Sequence, residues 1–213
     1  MQVYGIIPVN RLEEAKSRLA SVLTRRERVQ LLLCMLEDVL HAVHGLLTPV
    51  VVSPSSLKEH LPGEYVLIKE KEKRGLTEAV RLGNTYAMER GADATVFLPA
   101  DVPLIKRHHV KEVLELGRSC PLVVAPARKG GVALVYRRPP DVIPEVFSDR
   151  SFVDVQKTAE RYGVSLEVYD SFYLSLDLDT PEDIREFMYH GRGTATYEFL
   201  SRIFRGLEDA PPG

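Results

Sequence analysis

The residue pattern with the clearest chemistry is Leu98-Pro99-Ala100-Asp101-Val102-Pro103-Leu104, where a carboxylate interrupts an apolar run. Ala94 to Leu98 read as a buried strand, so Asp101 emerges at its carboxyl edge, where open α/β sheets bind ligands. Pro103 stops the ladder. A carboxylate there suits Mg²⁺, which takes one or two protein carboxylates together with substrate phosphates. An Asp-x-Pro turn without a ligand would leave the same residues. A second acidic pair lies in Leu176-Asp177-Leu178-Asp179-Thr180-Pro181. In an extended segment Asp177 and Asp179 share one side, and a cation shared with Asp101 would account for two like charges held together. The alternative makes Asp179 part of a helix start and Asp177 a solvated edge residue.

Cations and glycines complete the candidate chemistry. The first strand leaves through Ile7-Pro8-Val9-Asn10 into Ala15-Lys16-Ser17-Arg18-Leu19, and α/β proteins hold phosphates between such a strand and the helix after it. Lys16 and Arg18 could equally decorate a solvated helix face. Neither a Walker loop nor G-x-G-x-x-G is present, which excludes two nucleotide-binding schemes. Lys73-Arg74-Gly75-Leu76-Thr77 opens a helix whose amides could read a base or a phosphate, unless Thr77 merely caps it. Arg128-Lys129-Gly130-Gly131 and Asp149-Arg150-Ser151-Phe152 offer close backbone approach and a further helix start, or else a plain hairpin and an ordinary cap. The histidines form no metal pattern, and adjacent His108 and His109 are expected in an exposed first helical turn.

These residues need a scaffold, and the apolar pattern supplies one. Strand-length runs at Val3 to Ile7, Pro49 to Ser53, Tyr65 to Ile68, Ala94 to Leu98 and Leu122 to Ala125 alternate with helical periods at Arg25 to His44, Leu76 to Arg90 and Lys106 to Gly117. That alternation predicts a three-layer α/β fold, a mostly parallel sheet with helices on both faces. Beyond Ala127, strands at Val132 to Tyr136 and Ser165 to Tyr169, with a helix at Phe152 to Tyr162 between them, read as an addition to the sheet that closes over the site. Thr180, Pro181, Glu182 and Asp183 open a last helix that reaches Tyr189. One domain over residues 1–206 is expected, with a disordered tail from 207 to 213.

The chain has 213 residues, 45% of them hydrophobic, enough for a buried core. A net charge of −2 with both signs interspersed argues against a nucleic-acid surface and leaves anionic ligands to a few placed cations. Cys34 and Cys120 lie far apart with no partner motif, so neither a disulfide framework nor a zinc site is indicated. No run is long enough to span a bilayer and no leader precedes the first strand, so a soluble cytoplasmic protein is expected. A homodimer is compatible with this reading.

The order of Ile7-Pro8-Val9, Ala15-Lys16-Ser17-Arg18-Leu19, Gly75-Leu76-Thr77, Leu98 to Leu104, Ser151-Phe152 and Asp177-Leu178-Asp179-Thr180-Pro181-Glu182-Asp183 resembles the 2-phospho-L-lactate guanylyltransferases of archaeal deazaflavin-coenzyme biosynthesis. Tyr169-Asp170-Ser171-Phe172 and His190-Gly191-Arg192-Gly193 extend the resemblance over nearly the whole chain. It implies a glycosyltransferase-A-like nucleotidyltransferase fold, GTP as cosubstrate, Mg²⁺ as cofactor and a small phosphorylated acid as acceptor. By position, Asp101, Asp177 and Asp179 would hold metal, with Lys16 and Asp101 central to catalysis. Pro8, Val9, Lys16, Arg18, Gly75 and Thr77 would lie at the nucleotide, and Gly131, Arg150 and Ser151 at the acceptor. The chain departs from the family pattern at Asn10, Thr77, Gly131, Val132, Arg150 and Val155, mostly on the acceptor side. A nucleotidyltransferase for another acceptor, such as molybdopterin, and a GTP-binding protein without catalysis are the alternatives.

Overall fold

The computed structural model describes residues 1–61, 63–70 and 75–208, the last four by backbone alone. Strands β1 (Val3–Pro8), β2 (Thr48–Ser53), β3 (Val66–Lys69), β4 (Ala94–Phe97), β5 (Leu122–Pro126), β6 (Val132–Arg137) and β7 (Leu166–Val168) form one sheet in the order β3-β2-β1-β4-β6-β5-β7. Every strand but β6 runs in the same direction. β1, β2 and β4 read as apolar runs because both faces of the sheet are covered.

Among the described residues seven helices cover it: α1 (Arg25–Val43), α2 (Leu76–Met88), α3 (Arg107–Ser119), α4 (Ser151–Tyr162), the four-residue α5 (Phe172–Ser175), α6 (Pro181–His190) and α7 (Ala195–Glu208). Buried residues of α1, α3, α6 and α7 join Ile7, Val51, Val123 and Tyr136 on one face. On the other, Val80 and Ala87 of α2 and Val155 and Ala159 of α4 join Ile6, Val52 and Val124. Alternate residues of each strand serve the two cores. Gly83 brings α2 onto β1 so closely that a Cβ there would stand 2.4 Å from Cγ2 of Ile6.

Two expectations are corrected here. The stretch after Ala127 does add to the sheet, but partly from within: β6 is buried along its whole length and fills the slot between β4 and β5, antiparallel to both, while β7 takes the edge beside β5. The tight connection Arg128–Gly131 makes a hairpin with β5, and β4 lies open on the other side to receive β6. The final helix, which the sequence reading left out, runs through 207 and 208 into the stretch expected as a tail, while 209–213 lie outside the described residues.

Candidate active site

The carboxyl edge of the parallel strands gathers the chemistry. β1 ends at Pro8, half-buried, and the Val9 amide continues the ladder by donating to the Val52 carbonyl at 2.8 Å. Two short 3₁₀ turns, Leu12–Glu14 and Ser17–Leu19, carry the chain back over the edge, with Lys16 between them in the left-handed region at φ +47°. That conformation costs a non-glycine residue about 1–2 kcal/mol. Here it turns the Lys16 side chain inward. The buried Ala15 and Leu19 pin the loop on either side, and Arg28 of α1 donates to the Ala15 carbonyl at 3.1 Å and the Leu23 carbonyl at 3.0 Å.

Lys16 meets the two acidic segments. Its Nζ donates to Oδ2 of Asp101 at 2.6 Å and to Oδ1 of Asp179 at 2.7 Å, with the side chain only 6% exposed. Burial pulls its pKa down, but the carboxylates of Asp101 and Asp179 more than offset that and the net shift is upward. The lysine is therefore a fixed positive charge. Arg18, mostly exposed, places Nη1 3.6 Å from the other oxygen of Asp179. The amide of Leu178 donates to the Asp101 carbonyl at 3.2 Å, which ties the two acidic segments together by backbone.

Asp177, which takes a hydrogen bond from its own backbone, completes the acidic set. Its Oδ1 is buried and unbonded, and burial, then Asp101 and Asp179, push its pKa up while Lys129 partly opposes them. A bare carboxylate oxygen facing two further carboxylates is the donor chemistry of a hard cation site. The cation that actually lies between Asp101 and Asp179 is the Lys16 ammonium, and among the described residues no His, Cys, Asp and Glu side chains are spaced as three or more around an ion. The three aspartates thus fit a magnesium ion by donor type, with Lys16 sharing their charge.

Thr180 caps α6 by accepting from the Asp183 amide, and Asp183 returns the contact, its Oδ2 accepting from the Thr180 amide and hydroxyl at 2.8 Å each and from the Asp179 amide at 3.1 Å. That cap holds Asp179 at the helix start. Asp183 itself was read only as first-turn charge, although the Thr-x-x-Asp spacing carried the capping signal.

Gly75 and Thr77 stand apart from this cluster. Gly75 is the N-cap of α2 at φ +90°, a conformation that favours glycine, with no side-chain cap; Thr77 is exposed and does not cap. Lys73 and Arg74 lie outside the described residues. A cavity of about 690 Å³ opens beside the β1 exit, lined by Arg11, Leu12, Ser55, His60, Lys69 and Glu70 among others. Its walls come from the ends of the first three strands.

Across the edge, Gly131 leads into the buried Val132, and a Cβ on Gly130 would stand 3.5 Å from the Asp149 carbonyl, so the β5–β6 turn and the turn before α4 touch. Ser151 is 4% exposed; its Oγ accepts from the Ser148 amide at 2.7 Å and donates to the Ser148 carbonyl. Its hydroxyl is thus occupied within the turn, as is its amide, which donates to the Ser148 carbonyl at 3.2 Å. Arg150 is exposed beside it, its amide donating to Oγ of Ser148 at 3.0 Å.

Of the two histidines of α3, His108 is exposed as expected and His109 is not. His109 is buried, because its Nδ1 accepts from the Lys106 amide at 3.0 Å and closes the start of α3. Burial first, then His108, lowers its pKa to about 4 despite the opposing pull of Glu112.

Comparison with known proteins bears on the family and the fold. The family described as Guanylyl transferase CofC like matches residues 2–208. A 2-phospho-L-lactate guanylyltransferase of Methanocaldococcus jannaschii is 35% identical over 208 residues, covering 97% of this chain and 90% of its own. One from Methanothermobacter thermautotrophicus is 35% identical over 207 residues, covering 95% and 92%. Among solved structures, one from Desulfovibrio desulfuricans G20, named for nucleotide-diphospho-sugar transfer, superposes with a TM-score of 0.77 at 18% identity over 97% of this chain and 98% of that one. The 4-diphosphocytidyl-2C-methyl-D-erythritol synthase of Anaerococcus prevotii gives 0.60 at 12%, over 94% and 96%. At these identities the two structures establish the nucleotidyltransferase-like fold.

Proposed function

The chain belongs to the CofC-like guanylyl transferase family, and on that premise we propose that it moves the GMP unit of GTP onto the phosphate of a small phosphorylated carboxylic acid, with release of pyrophosphate. The relatives are named for 2-phospho-L-lactate; phosphoenolpyruvate and phosphoglycerates share its pairing of phosphate and carboxylate. In the cell such a product would feed deazaflavin coenzyme biosynthesis.

The observation that carries this reading is the Lys16 ammonium, buried against Asp101 and Asp179 at the carboxyl edge of the sheet. In the reaction an acceptor phosphate oxygen forms a bond to the α-phosphorus of GTP while the bond from that phosphorus to the α–β bridging oxygen breaks. The acceptor is already an anion at neutral pH, so no base has to remove a proton. Positioning and charge neutralisation then account for the catalysis. Lys16 and Arg18 offset charge on the triphosphate, Pro8 and Val9 line its path, and Gly75 with Thr77 borders the guanine. Magnesium held by Asp101, Asp177 and Asp179 would neutralise phosphate oxygens and support the departing pyrophosphate. Gly131, Arg150 and Ser151 frame the acceptor, Ser151 through the turn it closes.

The test is pyrophosphate release from GTP, ATP or CTP against each of these acids and against molybdopterin, with and without Mg²⁺. Release from GTP with one of the acids, only with the metal, is the expected result. GTP binding without release with any acceptor would make the protein a non-catalytic homologue, and a faster rate with molybdopterin would move the acceptor to another class.

A further inference from the structure

We propose that Lys129, in the β5–β6 turn, is the cation that binds the acceptor acid; the proposal rests on the guanylyl-transfer reading above. Lys129 sits at φ +67° in the left-handed region, a conformation that glycine or asparagine adopts with less strain. A Cβ on its neighbour Gly130 would stand 3.5 Å from the Asp149 carbonyl, and its own Nζ lies beside Asp183, so the lysine stands between the turn before α4 and the start of α6. Strained backbone that presents a long cationic side chain at such a junction points to a ligand.

The ammonium is loosely engaged. Nζ lies 3.6 Å from Oδ2 of Asp183, beyond hydrogen-bond reach, and that oxygen already accepts from the Asp179 amide and from the amide and hydroxyl of Thr180. The side chain is 55% exposed, so the pair is screened by water. Lys129 retains its three donors for an incoming anion. Its charge reaches the acidic cluster as well, since it opposes the upward shift of Asp177.

Other side chains of the turn leave this role open. Gly131 has none, Val132 is buried and apolar, and the guanidinium of Arg128 lies 5.1 Å over the ring of Phe172. A phosphate or carboxylate brought between the β5–β6 turn and the start of α4 therefore meets Lys129 as an exposed cation of that turn. Lysine binds such anions as a point charge, which suits acids of different shape.

The experiment measures binding of 2-phospho-L-lactate and phosphoenolpyruvate by calorimetry, and steady-state kinetics, for the wild type and for Lys129→Gly, Lys129→Met and Lys129→Arg. Loss of one charged contact weakens acid binding about ten- to hundredfold, so Lys129→Gly and Lys129→Met are expected to raise the Kd and KM for the acid by that factor, with the KM for GTP unchanged. Lys129→Arg should restore binding to within a few-fold. Lys129→Gly relieves the left-handed strain, so its melting temperature should equal or exceed the wild type's, which a purely structural lysine would not allow. The proposal is overturned if the wild type binds the acid and the variants bind it equally well, or if GTP and acid weaken together. A wild type that binds neither acid overturns both this proposal and the acceptor class assigned above; a wild type that binds them without releasing pyrophosphate overturns only the catalytic reading.

Discussion

The two sides of the cleft hold their chemistry in different ways. On the phosphate side, charged side chains bond directly to one another: Lys16 to Asp101 and Asp179, with Arg18 behind them. On the acceptor side the order comes from short polar links within turns, such as Ser151 to Ser148 and Ser148 to Asp154, and the cations Lys129 and Arg150 remain exposed. A preorganised charge set suits a triphosphate that is the same in every turnover. Exposed cations on turns can accommodate acids of several shapes.

The contrast is broken most directly at Asp101. Asp101→Asn keeps the side chain's shape but removes a charge that pairs with Lys16, and on the proposed guanylyl transfer kcat should fall at least about a hundredfold. Lys16 keeps Asp179 as a partner, so circular dichroism should show an intact fold. Nearly unchanged turnover in the folded variant would remove the phosphate side from catalysis and reduce the comparison to one of architecture.

His109 tests how firmly the phosphate side is anchored, because it closes the start of α3, the helix that follows the Asp101 turn. Its pKa is lowered to about 4 from the ordinary 6.5 by burial, so the unfolded chain binds the extra proton between those values and the folded chain does not. Stability should therefore be complete above about pH 6.5 and decline as pH falls to about 4, by up to about 3 kcal/mol. Urea unfolding at several pH values measures this, and His109→Gln should flatten that part of the curve. If the variant keeps the full acid slope, the titrating group lies elsewhere.

The same division explains what could be read in the sequence. The strands and longer helices end within about two residues of their expected limits, because buried apolar runs and helical periods are local signals. The neighbour of a strand is not local: Val132 to Tyr136 looked like a strand, but nothing in it told that it would run between β4 and β5. Helix α7 carried a readable apolar stripe in Phe199, Leu200 and Ile203, yet its start depends on Asp38 of α1, whose carboxylate accepts from the amides of Ala195 and Thr196 at 2.8 and 3.0 Å. That partner lies far away in the chain. That Lys16 and Asp101 come together follows from the strand exits they occupy, which the alternation of apolar runs located in the sequence. Lys129 was hidden in a run that reads as an ordinary glycine turn, since its left-handed backbone and its place beside Asp183 appear only in three dimensions.

The smallest expected effect sharpens the other side of the comparison. Ser151→Ala removes the acceptor of the Ser148 amide and the donor to the Ser148 carbonyl in a turn that is largely buried at Ser151. Leaving those groups without partners costs about 1–2 kcal/mol, read as a drop of a few degrees in melting temperature. Because Ser151 acts through the turn it closes, the loosened start of α4 should raise the KM for the acid several-fold while kcat at saturating acid changes little. Lys16 and its carboxylates are untouched, so the KM for GTP should stay where it is. A fall in kcat comparable to that of Asp101→Asn would show instead that the Ser151 hydroxyl reaches the reacting phosphates, and the acceptor side would then be as preorganised as the phosphate side.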